Sequence, residues 1–330
     1  LCREEDSPYH EIVKNKGSNV YIMPKYKNNR DLVLYKYIYR LINDGKYTLI
    51  HVNIADFRAA VIMSMAKICK VPYRVYHSHN TLRAGEAFKS RALSRIYDFI
   101  CVKAASSLLA CTDDAGKSVF GRNNFEIIRN AIHVDKFVFN KATRERIRTE
   151  LNLSDKFIIG TVCRQAQQKN PLFIIDVLAS YNKMYGEAYL LWVGTGPMYT
   201  EVQRYAQEKK VLNRLIMVGD QTDVYNWYSA MDVFLMPSLF EGLGIVYIEA
   251  QATGLHTFAS DCVPKDSKVT ELIHYISLEK DSDYWAKSIN SILLRNEIRR
   301  SRVQEVIEAG YGVNPENNSL KKFYDKQLHK

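Results

Sequence analysis

Glu241 and Glu249 lie in the stretch Pro237-Ser238-Leu239-Phe240-Glu241-Gly242-Leu243-Gly244-Ile245-Val246-Tyr247-Ile248-Glu249-Ala250, and these two carboxylates are the first groups able to do chemistry. The apolar run from Val233 to Met236 reads as a fully buried strand that empties into a turn with two glycines before an amphipathic helix. Such a corner leaves backbone N–H groups unpaired at the helix start, and the helix dipole adds partial positive charge there, so a phosphate is favoured. Glu249 follows Glu241 by about two helical turns, an angle that predicts both on one side. Carboxylates beside a phosphate seat suggest recognition of hydroxyls, and a sugar nucleotide carries both groups.

Cations stand at a second corner, Gly160-Thr161-Val162-Cys163-Arg164-Gln165-Ala166-Gln167-Gln168-Lys169-Asn170. The strand Phe157 to Val162 closes just before it, so Arg164 and Lys169 fall on the loop at a strand's carboxyl end, where two cations can bridge a diphosphate. Taken alone, the same pair reads equally as solvated loop cations.

The elements that must position these residues alternate. In the first half, strands are expected at Asn19 to Pro24, Thr48 to Asn53, Tyr73 to His79, Leu108 to Thr112 and Phe125 to Arg129, with helices between them. Residues 130–143 show no clear period and read as the approach to a linker. A second series begins at Phe157: Asn170 and Pro171 supply an N-cap and a first-turn proline, and further strands are expected at Tyr189 to Val193, Leu215 to Gly219, Val233 to Met236 and Thr257 to Ser260. Alternation of this kind means parallel βαβ units, hence an α/β protein with two Rossmann-like domains, 1–150 and 151–313, and a terminal helix within 314–330. Ligands of such sheets collect at the carboxyl ends of the strands, so a site between the halves is expected.

The order of strand, Arg164, Lys169-Asn170 and the Glu241-x7-Glu249 corner resembles the donor-binding half of glycosyltransferase family 4, the large retaining GT-B family. The phrasing Asp232-Val233-Phe234-Leu235-Met236-Pro237-Ser238 through Ala250-Gln251-Ala252-Thr253-Gly254 looks like its bacterial capsule and exopolysaccharide members. The resemblance runs from about Val20 to Leu293 and implies two domains facing across a cleft. It also implies roles. Arg164 and Lys169 would hold the donor diphosphate and stabilise the leaving nucleotide, and Glu241 would bind hydroxyls of the transferred sugar. Glu249 would accept both ribose hydroxyls, while backbone N–H groups of Gly242, Leu243, Gly244 and Ile245 touch the phosphates. Gly219, Asp220, Gln221 and Thr222 would edge the base, with Val224 closing that pocket. His79, at the end of its strand, matches the place where the family presents a histidine to the donor sugar; His77 is expected to reach the cleft less readily, and His51 is read as structural.

The same resemblance implies retention of configuration with no essential metal and no cofactor beyond the donor, a UDP-sugar. The acceptor would be a glycan or a polyprenyl-diphosphate-linked chain at the cytoplasmic face. The family's opening strand, glycine-rich loop and helix have no counterpart before Val20, so the first domain is expected to be truncated at its N-terminus. An inactive nucleotide-sugar-binding partner subunit is the competing expectation.

Composition narrows the alternatives. Apolar residues at 47% and charged residues at 25% are those of a soluble globular protein, and no apolar run approaches the ~18 residues of a membrane-spanning helix. Six scattered cysteines show no metal-type pairing and read as reduced core thiols. The formal charge of +10 comes without a nucleic-acid motif, so a phosphorylated substrate or an anionic membrane surface is favoured over nucleic acid. The segment Leu82 to Lys103, mixing basic and apolar residues, suits such a surface. Asp281-Ser282-Asp283 spells a D-x-D pattern used by metal-dependent transferases of another fold, but it precedes a helical stretch and reads as an N-cap.

Overall fold

The computed structural model describes residues 8–24, 32–79, 88–293, 298–313 and 318–328. They form two compact units, one of described residues up to Ile127 and the other of those from Ile128 onward.

In the first unit α1 (Pro8–Asn15) and α2 (Leu32–Gly45) precede an alternating series: β1 (Leu49–Val52), α3 (Phe57–Ile68), β2 (Tyr73–Ser78), α4 (Phe88–Ala104), β3 (Ser107–Ala110), α5 (Asp113–Phe120) and β4 (Glu126–Ile127). The four strands form one parallel sheet in the order β1-β2-β3-β4. Helices α3 and α4 close over it around Met63, Tyr76 and Cys101. The expected strand at Asn19 to Pro24 does not form; Ile22 makes a single bridge, and Met23 instead packs against Leu34, Ile38 and Ile42 of α2.

The second unit contains α6 (Lys141–Glu150), β5 (Phe157–Val162), α7 (Pro171–Tyr185), β6 (Ala188–Val193), α8 (Tyr199–Glu208), β7 (Leu215–Met217), α9 (Val224–Ala230), β8 (Val233–Met236), α10 (Ile245–Ala252), β9 (His256–Ser260), β10 (Ile273–Ile276), α11 (Ser282–Leu293), α12 (Val303–Glu308) and α13 (Ser319–Leu328). Its six strands are all parallel, in the order β10-β9-β8-β5-β6-β7. From β5 the chain winds one way to β7, then returns to lay β8 on the other side of β5. That reversal is a topological switch point, where connecting helices leave to opposite faces and a crevice opens at the strands' carboxyl ends. The core beneath it packs Ile159, Trp192, Leu235, Phe258 and Trp285, all buried to about 1% exposure or less.

Three elements of this unit escape the sequence expectation, α6, β10 and α12, and residues 130–143 prove partly ordered, with a 3-10 turn at Val134–Phe137 and the first residues of α6. Asn170 stands at the N-cap of α7 but in left-handed backbone (φ 53°) and without a side-chain capping bond, so Pro171 alone does what was expected of the pair. At the D-x-D pattern Asp281 Oδ1 accepts the Tyr284 N–H at 2.8 Å, which is the N-cap expected there. Cys69, Cys101, Cys111, Cys163 and Cys262 are free thiols, and only Cys262 among them is exposed. Residues 82–87 of the Leu82 to Lys103 segment and 314–317 of the terminal segment lie outside the described residues.

Candidate active site

The switch point brings the two chemistry-bearing corners together. Register pairs Ile159 with Val233 and Gly160 with Phe234, so the loops leaving β5 and β8 emerge side by side. Lys169 of the first loop donates to Glu241 Oε1 of the second, an ion pair with 19% and 5% side-chain exposure. Ser238 Oγ donates to the same Oε1 at 2.7 Å, and Gln168 Nε2 donates to Oε2 at 3.3 Å. The backbone reinforces the seam: Leu239 N donates to Gln168 O at 2.8 Å, and Gln168 Nε2 donates to Phe240 O at 2.9 Å. A buried carboxylate is tolerated because it is paired and hydrogen-bonded. Lys169 has three ammonium donors, which gives it capacity beyond Glu241 for a second anion. Arg164 stands exposed on the same loop.

Gly244 supplies the bend from the turn into α10. Its φ of 73° is left-handed backbone that a side chain would strain, and a Cβ there would lie 2.5 Å from the Tyr247 ring. Gly242, Leu243 and Ile245 flank it, and the first N–H groups of the helix have no intrahelical acceptor. Because α10 begins only at Ile245, Glu241 lies outside the helix, and the helical angle predicted between Glu241 and Glu249 does not apply. The two carboxylates are held separately. Tyr228 of α9 donates its hydroxyl to Glu249 Oε2 at 2.7 Å, whereas Tyr247 donates to Met236 O at 2.8 Å under the Glu241 loop. Burial pushes Glu249 up to about 7, against the Tyr228 hydrogen bond, which lowers it.

The loops after β6 and β7 join the same rim. Gly194 N donates to Gly219 O at 2.7 Å, and Thr195 donates to Asp220 through its N–H (2.9 Å) and its hydroxyl (2.8 Å). Gln165 Nε2 donates to Gly194 O at 2.9 Å, which ties the Arg164 loop to that rim. Gln221 donates back to Val218 O at 2.7 Å, Thr222 is exposed, and Val224 opens α9. The loops carrying Arg164 and Lys169, Gly219 to Thr222, and Glu241 to Gly244 thus leave the carboxyl ends of β5, β7 and β8, while Glu249 sits further along α10.

His79 lies in the first unit, just past β2. His77 and His79 alternate on one face of the strand with ring centroids 4.0 Å apart. His51 of β1 shares a 3.1 Å contact with His77 through Nε2 and Nδ1, and His79 Nε2 meets Asn53 Oδ1 at 3.1 Å. Burial first, then repulsion from neighbouring rings, lowers His51 to about 4 and His77 to about 3, and burial lowers His79. Burial and mutual repulsion thus both disfavour charge on the stack. Among the described residues no group of His, Cys, Asp and Glu is arranged to hold a metal ion.

Sequence reasoning missed Ser238, Gln168 and Tyr228. Ser238 and Gln168 adjoin residues that were singled out, and their spacing was a usable signal; Tyr228 reads from sequence as one more core aromatic.

Comparison with known proteins places this geometry. HepE of Anabaena, solved with UDP and glucose, superposes with a TM-score of 0.81 at 17% identity, over 97% of this chain and 89% of that one. Sucrose-phosphate synthase of Thermosynechococcus elongatus does so at 0.73 and 20%, over 90% of this chain and 78% of that one. Among curated proteins, the putative glycosyltransferase EpsF of Bacillus subtilis is 27% identical over 338 residues, 99% of this chain and 88% of EpsF. An Escherichia coli UDP-Gal:alpha-D-GlcNAc-diphosphoundecaprenol alpha-1,3-galactosyltransferase is 27% identical over 241 residues, covering 68% of this chain and 60% of that protein. Fold and relatives together define the class, a glycosyltransferase of GT-B fold. The chain belongs to the family described as glycosyl transferases group 1, whose model matches residues 143–309.

Proposed function

We propose that this glycosyltransferase is a retaining enzyme of the family 4 type that moves a sugar from a UDP-sugar to a polyprenyl-diphosphate-linked glycan in capsule or exopolysaccharide assembly. The observation that carries the reading is the Lys169–Glu241 pair, seated where the chain reverses direction across the sheet. Lys169 and Arg164 hold the diphosphate and stabilise the charge that develops on the leaving nucleotide, the electrostatic task that dominates such transfers. Glu241 takes hydroxyls of the sugar, and the N–H groups from Gly242 to Ile245 approach the phosphates. Glu249 accepts the ribose hydroxyls, the rim from Gly219 to Thr222 with Val224 borders the base, and His79 serves the donor sugar. The leaving phosphate takes the acceptor's proton on the face it departs from, so the reaction needs neither an enzyme nucleophile nor a metal.

Two kinds of relative support the donor and acceptor classes. HepE was solved with UDP, with UDP-glucose, and with UDP and glucose. The Escherichia coli relative carries its UDP-Gal donor and its diphosphoundecaprenol acceptor in its name, and CapJ of Staphylococcus aureus and the Salmonella typhi Vi polysaccharide protein are further relatives. We place the work at the cytoplasmic membrane face. Leu93, Ile96 and Phe99 stand exposed at helical spacing on α4, with exposed Arg95 and Lys103 on the same side, a pattern for anionic lipid rather than nucleic acid. No helix among the described residues is long and apolar enough to cross a membrane.

A thermal-shift screen against nucleotide sugars tests the donor, with stabilisation confined to UDP species expected. Arg164→Ala and Glu241→Ala should each abolish transfer in protein that remains folded; undiminished transfer in both removes the site assignment. Sedimentation with phosphatidylglycerol vesicles, and no retention of oligonucleotide at physiological salt, checks the surface.

A further inference from the structure

Glu249 is the one carboxylate of the site held by a phenol. Tyr228 and Glu249 meet at 2.7 Å in a pocket where the tyrosine ring is fully buried, and the contact occupies Oε2 alone. Among the described residues Oε1 takes no hydrogen bond, and Glu249 keeps part of its surface open. The hydroxyl's other neighbour, Val246 O, is more distant at 3.5 Å.

The phenol is itself fixed from two directions. Its ring packs against Phe137 and Phe234, with centroids 5.8 Å away in each case. The last carbonyls of its helix are gripped by arginines: Arg299 donates to Tyr228 O (3.0 Å) and Met231 O (2.9 Å), and Arg148 to Ala230 O (2.9 Å). A hydroxyl mounted this rigidly can select one rotamer of a partner carboxylate.

We propose that Tyr228 is a positioning residue of the donor site, its hydroxyl locking Glu249 so that the remaining carboxylate oxygen is presented, ionised, to the ribose hydroxyls. The inference rests on reading Glu249 as the ribose acceptor. Burial raises Glu249 to about 7, so at neutral pH it sits between its two forms, and the phenol's hydrogen bond favours the ionised one. Charged or titratable groups also stand on the elements packed against α10: Asp135 and Lys136 on the Val134–Phe137 turn, His256 on β9, Lys265 and Asp266 on the turn after Pro264, and Glu305 and Glu308 on α12. None of them bonds to Glu249, so the phenol is the group that tunes it.

The sign follows. Only ionised Glu249 accepts two hydroxyls, so the affinity for UDP-glucose, whose diphosphate diester does not titrate near neutrality, should rise with pH through about 7. Below that midpoint it should fall by up to about tenfold per pH unit as the competent fraction shrinks.

The test is calorimetric titration of UDP-glucose from pH 5.5 to 9 into the intact chain, Tyr228→Phe and Glu249→Gln. Tyr228→Phe keeps the ring packing, so the expected result is about tenfold weaker binding at pH 7 with the midpoint moved about one unit upward. An unchanged Kd and midpoint in Tyr228→Phe, with weakened binding in Glu249→Gln, overturns the role of Tyr228 alone. Unweakened binding in Glu249→Gln, or no binding of UDP-glucose by the parent at any pH, overturns the ribose reading beneath it. Should Tyr228→Phe fold poorly, the 2′,3′-dideoxyribose analogue of UDP-glucose serves on the parent protein: a lost pH step is expected, and a retained one overturns the proposal.

Discussion

Charge is buried at both ends of the second sheet, but it is spent differently. At the amino ends of β5 and β8, Asp232 is gripped by Arg144 and Arg148, and its Oδ2 also accepts the Ile158 N–H at 2.7 Å. Arg144 and Arg299 donate there to main-chain carbonyls of residues 228–231, the C-terminal end of α9, where cations complement the helix dipole. Burial, with Arg144 adding repulsion and Asp232 opposing, lowers Arg299 to about 9, which leaves it charged at neutral pH. At the carboxyl ends, Lys169 is satisfied by one carboxylate, Glu249 by one phenol, and Arg164 stands in solvent. A cavity of about 310 Å³ opens at the amino end, beside Phe139, Arg144, Asp232, His256 and Arg299, yet Arg144 and Arg299 have given their hydrogen bonds to the protein. Hydrogen-bonding capacity left over, rather than cavity volume or positive charge, distinguishes the end proposed to hold the donor.

The comparison can be broken in three places. Asp232→Ala should have the largest effect on stability, about 3–5 kcal/mol, because it strands buried guanidinium groups. Calorimetric melting should register a loss on the order of 10 °C, while transfer by protein kept folded at low temperature is retained; lost transfer with an unchanged melt would make Asp232 a site residue. Glu241→Gln should do the reverse. It keeps one acceptor oxygen for Ser238 but turns an NH2 toward Gln168 and removes the charge facing Lys169, so transfer should fall about 100- to 1,000-fold while melting moves far less than in Asp232→Ala. Equal losses of melting temperature in the two variants would erase the distinction between the ends. Arg300→Gln, at the cavity's exposed rim, should be the smallest change, within about 0.5 kcal/mol in stability and with unaltered transfer. A marked loss of transfer would mean that the cavity end takes part in function.

The strands at the site were legible because β5 and β8 are short apolar runs bounded by turn residues, and buried parallel strands have that signature. Lys169 and Glu241 were legible as members of two corners, but their pairing depends on which strands become neighbours, which no local pattern encodes. Helix α6 was missed, its first residues read as the approach to a linker, for a clear reason. Its sequence, KATRERIRTE, has one large apolar residue, Ile147, and it docks on α9 and Asp232 largely through Arg144 and Arg148, so the apolar period that betrays most helices is absent. The role of Tyr228 was hidden because an aromatic ring in a short helix announces burial and says nothing of where its hydroxyl points.

The adjacency of β5 and β8 also sets a timetable. Lys169 and Glu241 are 72 residues apart in the chain, and β6, β7, β8 and three α-helices are made between them. Closing so long a segment is a late and entropically costly event in folding. During synthesis the lysine emerges first and has no carboxylate to meet until β8 docks beside β5. The Lys169–Glu241 pair is therefore completed in one step, when β8 docks beside β5.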